Sequence, residues 1–172
     1  MNIKLITNNK KTILAFILII TTGLSGIALS SNLNGKIIKI IDGDTVYFQA
    51  NNDDGYKKLR LVGIDAPEMK QPFGHKSRQC LANLINNKLV QIITFGEDRY
   101  KRTLAKIIIE KIDINQAMIK NGCAWFYIGY KNTLDKDDQV IYDQAEIVAI
   151  ENKKGLFSNQ DAEAPWDWRK KN

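Results

Sequence analysis

Over residues 35–64 the chain carries three β-rich runs separated by tight turns, and this pattern constrains the fold more than any other feature. Residues 35–41 are rich in isoleucine and end at Asp42-Gly43-Asp44, a turn signature. Residues 45–50 supply a returning strand, residues 51–55 a second turn, and residues 56–64 a third strand. Sequential strands joined so tightly form an antiparallel meander. Asp65-Ala66-Pro67-Glu68 then breaks the sheet, because Pro67 has no amide hydrogen to give to a ladder.

Beyond the meander, a helix is predicted over residues 76–85, where Cys80, Leu81, Leu84 and Ile85 share one face. Residues 89–95 and 103–109 read as a fourth and a fifth strand, joined by a charged turn over 97–102. Asp113 can cap a short helix through Ile119, which Gly122 ends. A last amphipathic helix over 137–152 is expected to bury Val140, Ile141, Ala145, Val148 and Ala149. Five short strands with about three helices inserted and appended predict an α+β fold built on a small OB-type β-barrel. At 172 residues there is room for one domain with a real core and little room for two. Hydrophobic residues at 44% and charged residues at 26% exclude a disordered or collagen-like chain. Two cysteines exclude a disulfide framework or a four-thiolate zinc site, and one histidine excludes histidine-rich metal chemistry.

The N-terminus has a different character. Lys4, Lys10 and Lys11 precede an uncharged apolar run over residues 12–20, followed by small residues up to Ala28-Leu29-Ser30. That order reads as a secretory signal peptide over residues 1–30, with the mature domain over 31–172. A retained single-span anchor is the alternative. The formal net charge of +6 comprises 25 basic and 19 acidic residues; without those three lysines, 22 against 19 leaves +3. Half of the basicity belongs to the leader. The remainder includes Arg169-Lys170-Lys171, far along the chain from the acids discussed next.

Asp42-Gly43-Asp44-Thr45 and Asp65-Ala66-Pro67-Glu68 both fall where strands end, so their acids can meet at one mouth of a barrel. Asp44 and Asp65 offer hard oxygens, suited to calcium or magnesium rather than zinc. Two protein carboxylates leave coordination positions for water and a phosphate oxygen, and such an ion neutralises phosphodiester charge. Glu68, just beyond, is placed to take a proton from an attacking water. Arg60 and Arg102 bring guanidinium forks that match phosphate oxygens. Arg60 lies five residues before Asp65 and faces the other way by strict alternation, so a bulge or twist is required. Each motif alone has a bland reading: Asp-Gly as turn chemistry, an arginine as a surface ion pair.

Together they carry a resemblance. Residues 41–45, 59–68 and 98–105 (IDGDT, LRLVGIDAPE and DRYKRTLA) are similar, in order and separation, to the three signature blocks of the staphylococcal nuclease family. Asn121-Gly122-Cys123-Ala124-Trp125, Gln144-Ala145-Glu146 and Gly155-Leu156-Phe157 extend the resemblance over residues 35–158. It implies that Asp44 and Asp65 bind calcium together with the backbone carbonyl of Ala66, and that Glu68 is the general base. It implies too that Arg60 and Arg102 clamp the phosphate, that Tyr100 and Tyr130 contact the nucleotide, and that Asp42 supports the metal ligands. The implied reaction is calcium-dependent hydrolysis of DNA and RNA at the 5′ P–O bond, leaving 3′-phosphates. The implied enzyme is secreted or periplasmic, a monomer without a stable protein partner.

Two positions depart from the family pattern. Lys101 stands where a glycine is usual, which puts the aim of Arg102 in question. Ile128 stands where a second nucleotide-contacting tyrosine is usual, with Tyr127 beside it. His75 has no visible partner and is given no catalytic role. Trp125 sits in an apolar run and reads as core; the tail with Trp166 and Trp168 reads as docking on the body. Whether Cys80 and Cys123 pair is left open. The competing reading is a non-catalytic OB module that binds nucleic acid or protein, with a membrane-bound surface protein as a weaker third. The five site residues favour the enzyme.

Overall fold

The computed structural model describes residues 32–130 and 133–172. The expected leader and cleavage site, residues 1–30, lie outside them. Strands β1 (Asn32–Ile40), β2 (Thr45–Ala50) and β3 (Lys57–Leu61) form the expected antiparallel meander, with Ile37 opposite Phe48 and Thr45 opposite Arg60. A register shift between Ile37 and Lys39 leaves Ile38 half exposed, as a bulge does.

The third strand does not run on to Ile64. It stops at Leu61 because Gly63, at φ +76°, takes a left-handed conformation that no strand contains. The chain resumes as β4 (Ile64–Asp65), which pairs with β8 (Trp125–Phe126) in a separate two-stranded ladder. This turn also resolves the parity problem of Arg60, since alternation does not carry through it.

Helix α1 (Gly74–Ile85) follows, burying Ser77, Leu81 and Ile85. Strand β5 (Leu89–Glu97) pairs with β1 and with β6 (Thr103–Ile109). A parallel pairing of β6 with β3, Leu59 opposite Thr103, closes five strands into a barrel. Val46, Phe48, Leu59, Leu61, Ile92 and Ile107, all fully buried, fill it. Strand β7 (Ile112–Asp113) leads into helix α2 (Ile114–Lys120), where the Asp113 carboxylate accepts from Gln116 N as the expected cap. The sequence-level barrel and its α+β class are both present.

Helix α3 (Lys136–Glu151) has nearly the predicted span but not the predicted face. Tyr142, Ala145 and Ala149 are buried, whereas Val140, Ile141 and Val148 are exposed. Ala145 joins the main core and Ala149 packs with Leu156 and Phe157, and Tyr142 is fixed by donating its hydroxyl to Asp113 Oδ2 at 2.7 Å. Packing distance and that polar anchor outweigh side-chain hydrophobicity in choosing the face. The tail adds a further helix, α4 (Pro165–Lys171), which starts on a buried proline at its first position. Cys80 of α1 and Cys123 after α2 form a disulfide. No described helix is long and apolar enough to cross a membrane.

Candidate active site

The turn between β1 and β2 is held by Ile41 N donating to Thr45 O at 2.9 Å. The Asp42 carboxylate accepts from Asp44 N at 3.0 Å, the local closure that aspartate makes in turns. Gly43 lies against α1 and Ala66: a Cβ there would fall 1.9 Å from Ser77 Oγ and 2.6 Å from Ala66 Cβ. Only glycine lets the turn come this close, and the close approach sets where Asp44 stands. Asp44 Oδ2 then accepts from Ala66 N at 2.7 Å, joining the first acidic motif to the second.

Arg60 links the acids. Its Nη2 lies 3.2 Å from Asp44 Oδ2 and 3.0 Å from Asp65 Oδ1, while Nη1 donates to the carbonyls of Leu61 (2.7 Å) and Ile64 (2.8 Å). All three side chains are buried. Burial, with Asp44 beside it, pushes the Asp42 carboxyl up to about 7. Burial also raises Asp65, against the lowering effect of Arg169 and Arg60.

Arg102 comes from the turn between β5 and β6. Lys101 occupies that turn at φ +60°, the left-handed geometry that explains why glycine is usual there. Asp98 preserves the turn despite the lysine: its Oδ1 accepts from Tyr100 N and Arg102 N, and its Oδ2 from Arg102 Nε at 2.7 Å. Although burial opposes it, these bonds from Arg102 and Tyr100 hold the Asp98 carboxyl below its usual range. The Arg102 guanidinium also lies 5.4 Å from the Tyr100 ring centre.

Asp42, Asp44, Asp65, Glu68, Arg60 and Arg102 thus line one cleft of about 650 Å³, shared with Ala66 and Tyr100. Tyr127 also lines it, in the neighbourhood that Ile128 leaves without a tyrosine. Tyr130 ends the 3₁₀ turn Ile128–Tyr130, and its side chain lies outside the described residues. His75 lies in a different groove, between β1 and α1. Trp125 is half-buried, edge-on to Phe157 at 4.8 Å.

The cleft also holds an arginine that the sequence does not mark as part of the site. Arg169 of α4 reaches across to donate to Asp65 Oδ2 (2.7 Å), Asp65 Oδ1 (3.2 Å) and Glu68 Oε1 (2.8 Å). Those bonds, to Asp65 first, raise its already high pKa and hold it charged. Nothing in the local sequence pairs position 169 with position 65, although the tail docks on the body as expected.

The donor set suits a hard divalent cation. Asp44 and Asp65 meet at one nitrogen of Arg60 and Ala66 adjoins both, so oxygen is the only protein ligand type at hand. Among the described residues no trio of His, Cys, Asp or Glu side chains is gathered as a ready shell, so two carboxylates would leave the other positions to the carbonyl and water.

Residues 58–159 match the family described as "Staphylococcal nuclease homologue". The chain is 37% identical over 162 residues to an "Uncharacterized endonuclease" of Haemophilus influenzae, covering 94% of this chain and 86% of that protein. An "Uncharacterized endonuclease" of Escherichia coli O157:H7 is 34% identical, covering 82% and 88%. A "Micrococcal nuclease" of Shigella flexneri is also 34% identical, covering 81% and 82%.

Proposed function

This chain belongs to the staphylococcal nuclease family, and from that premise we propose that it is an exported, calcium-dependent nuclease that cleaves DNA and RNA at the 5′ P–O bond to leave 3′-phosphates. The observation that carries the reading is the convergence of Asp44, Asp65, Glu68, Arg60 and Arg102 on one cleft, from three separate segments of chain. Convergence of acids and guanidiniums without base-reading side chains suits a site that recognises phosphate rather than sequence.

In this reading Asp44, Asp65 and the Ala66 carbonyl hold calcium, which when bound neutralises phosphate charge and orients water. Asp42 fixes the turn that carries Asp44. The Glu68 side chain is 40% exposed at the mouth of the cleft and takes the proton from the attacking water. Arg102, braced by Asp98, offers its guanidinium to the non-bridging oxygens as their charge grows. Arg60, anchored on two carbonyls, keeps positive charge beneath the phosphate. Tyr100, 63% exposed, and Tyr130 stack on bases, which favours single strands or frayed duplex. The Cys80–Cys123 disulfide supports an oxidising compartment, secreted or periplasmic, and the enzyme is proposed to act as a monomer.

Purified protein is expected to cleave DNA and RNA in calcium and to stop in EGTA. Binding in calcium without cleavage would overturn the enzyme in favour of a binding module. Glu68→Gln should lower turnover about 10²- to 10⁴-fold with an unchanged circular dichroism spectrum. Full activity would remove Glu68 from the mechanism.

A further inference from the structure

The position of Arg169 is a consequence of how α4 docks. Trp166 stacks on Tyr127, with ring centres 5.6 Å apart and an interplanar angle of 27°, and meets Trp125 at 6.0 Å. Just before the helix, Gln71 Nε2 donates to Glu163 O at 2.7 Å. Trp166 and Arg169 are three residues apart and share a helix face, so seating the tryptophan delivers the guanidinium to the cleft. There Arg169 spans a proposed metal ligand, Asp65, and the proposed general base, Glu68. It lies beyond residues 58–159, the part of the chain that matches the family.

Resting on the assignment of Asp44 and Asp65 to calcium, we propose that Arg169 is a residue of this active site: the resident counter-cation of Asp65 and Glu68, which a divalent ion must displace, so that it sets the calcium concentration at which the site fills. Both carboxylate oxygens of Asp65 already accept from arginine, Oδ1 from Arg60 and Arg169 and Oδ2 from Arg169. A calcium ion needs such an oxygen at about 2.3–2.6 Å. A guanidinium within hydrogen-bond distance of that same oxygen then lies against a double positive charge. The two arginines differ in their capacity to yield. Arg60 is 4% exposed and tied to two backbone carbonyls, whereas the Arg169 side chain is 43% exposed and projects from the surface helix. Arg169 is the one that withdraws. The observed calcium affinity is then the intrinsic one reduced by the fraction of molecules in which Arg169 is seated. By reciprocity, calcium loosens the seating of the arginine.

The test is calorimetric titration of calcium chloride into the full protein and three variants: Arg169→Gln, Arg169→Lys and Lys170→Gln. Among the described residues Lys170 pairs only with its helix neighbour Asp167, so its variant removes one charge without touching the cleft. Arg169→Gln should bind calcium roughly 5- to 150-fold more tightly, the range of ordinary coupling between sites. Arg169→Lys keeps the charge but loses the two-pronged contact, and should fall between it and the wild type. Lys170→Gln should match the wild type. In EGTA, Arg169→Gln should melt at a lower temperature, and calcium should raise its melting point by more than it raises that of the wild type. The sign is what separates competition from mere support of the fold, because losing a structural brace would weaken the metal site. Equal or weaker calcium binding by Arg169→Gln overturns the proposal while the calcium reading stands. No calcium binding by the wild type or any variant overturns both. Should Arg169→Gln fail to fold, wild-type or weaker affinity in Arg169→Lys overturns the competition equally.

Discussion

At the scale of single residues, the acids and arginines of the cleft could be read from the sequence because turn chemistry fixes them locally. Asp42 closes its own turn and Asp98 braces Arg102 four residues on, so each is placed by neighbours along the chain. Glu146 shows a different residue-level effect. Its Oε1 accepts from Phe126 N at 2.8 Å, yet burial raises its carboxyl above the ordinary glutamate value, only partly offset by that bond. A raised folded-state value means that the stabilising contribution is complete below the unfolded value, near 4.5, and is lost as pH rises through the folded one. Glu146→Gln keeps an acceptor for Phe126 and removes the charge. Urea melts should therefore show the variant equal to the wild type near pH 4 and more stable than it near pH 7.5. A difference that shrinks with rising pH would contradict the burial account. Arg169 marks the limit of such reading: its partners lie about 100 positions away, and no turn, period or charge pattern near it signals them.

Among elements, the strands were legible and the joints were not. The spans of β2 and β6 follow from their hydrophobic pattern alone, whereas the break between β3 and β4 depends on one left-handed glycine within an apolar run. What holds that joint is Asn115, fully buried at the start of α2. Its Nδ2 donates to the carbonyls of Val62 (2.9 Å) and Ala105 (3.0 Å), and its Oδ1 accepts from Ile107 N (3.2 Å). One side chain thus ties α2 to β6 and to the turn that leads into Asp65. Asn115→Ala removes three buried hydrogen bonds, although Ala105 O keeps Val62 N as a donor, and should cost about 3 kcal/mol in chemical denaturation. It should also lower nuclease activity, since the turn that aims Asp65 is released. Full activity with unchanged stability would show that the tie is dispensable. In the sequence Asn115 is indistinguishable from any other asparagine. The buried face of α3 has the same origin, because its small residues are set by distant partners, Ala149 by Leu156 and Phe157.

For the whole molecule, the disulfide is the longest covalent constraint, joining residues 43 apart and tying α1 to the segment that leads into β8. Closing a loop of that length restricts the unfolded chain, and its loss through paired Cys80→Ser and Cys123→Ser changes should cost about 4 kcal/mol in guanidinium melts. Ser77, one turn before Cys80, also donates to the Cys123 carbonyl at 2.6 Å, so the native arrangement retains a polar tie when the sulfurs are gone. Catalysis at 25 °C should accordingly survive while the midpoint falls; an unchanged midpoint would contradict the chain-entropy account. The placement of α4 has a temporal side as well. Synthesis runs from the N-terminus, so Asp42, Asp44, Asp65 and Glu68 leave the ribosome with Arg60 long before Arg169 exists. A nascent chain can close its barrel through β3 and β6 while its cluster of acids still lacks a second cation. Charge balance in the cleft is therefore a late event in the birth of the molecule, completed only when α4 turns back onto Trp125 and Tyr127, which receive it.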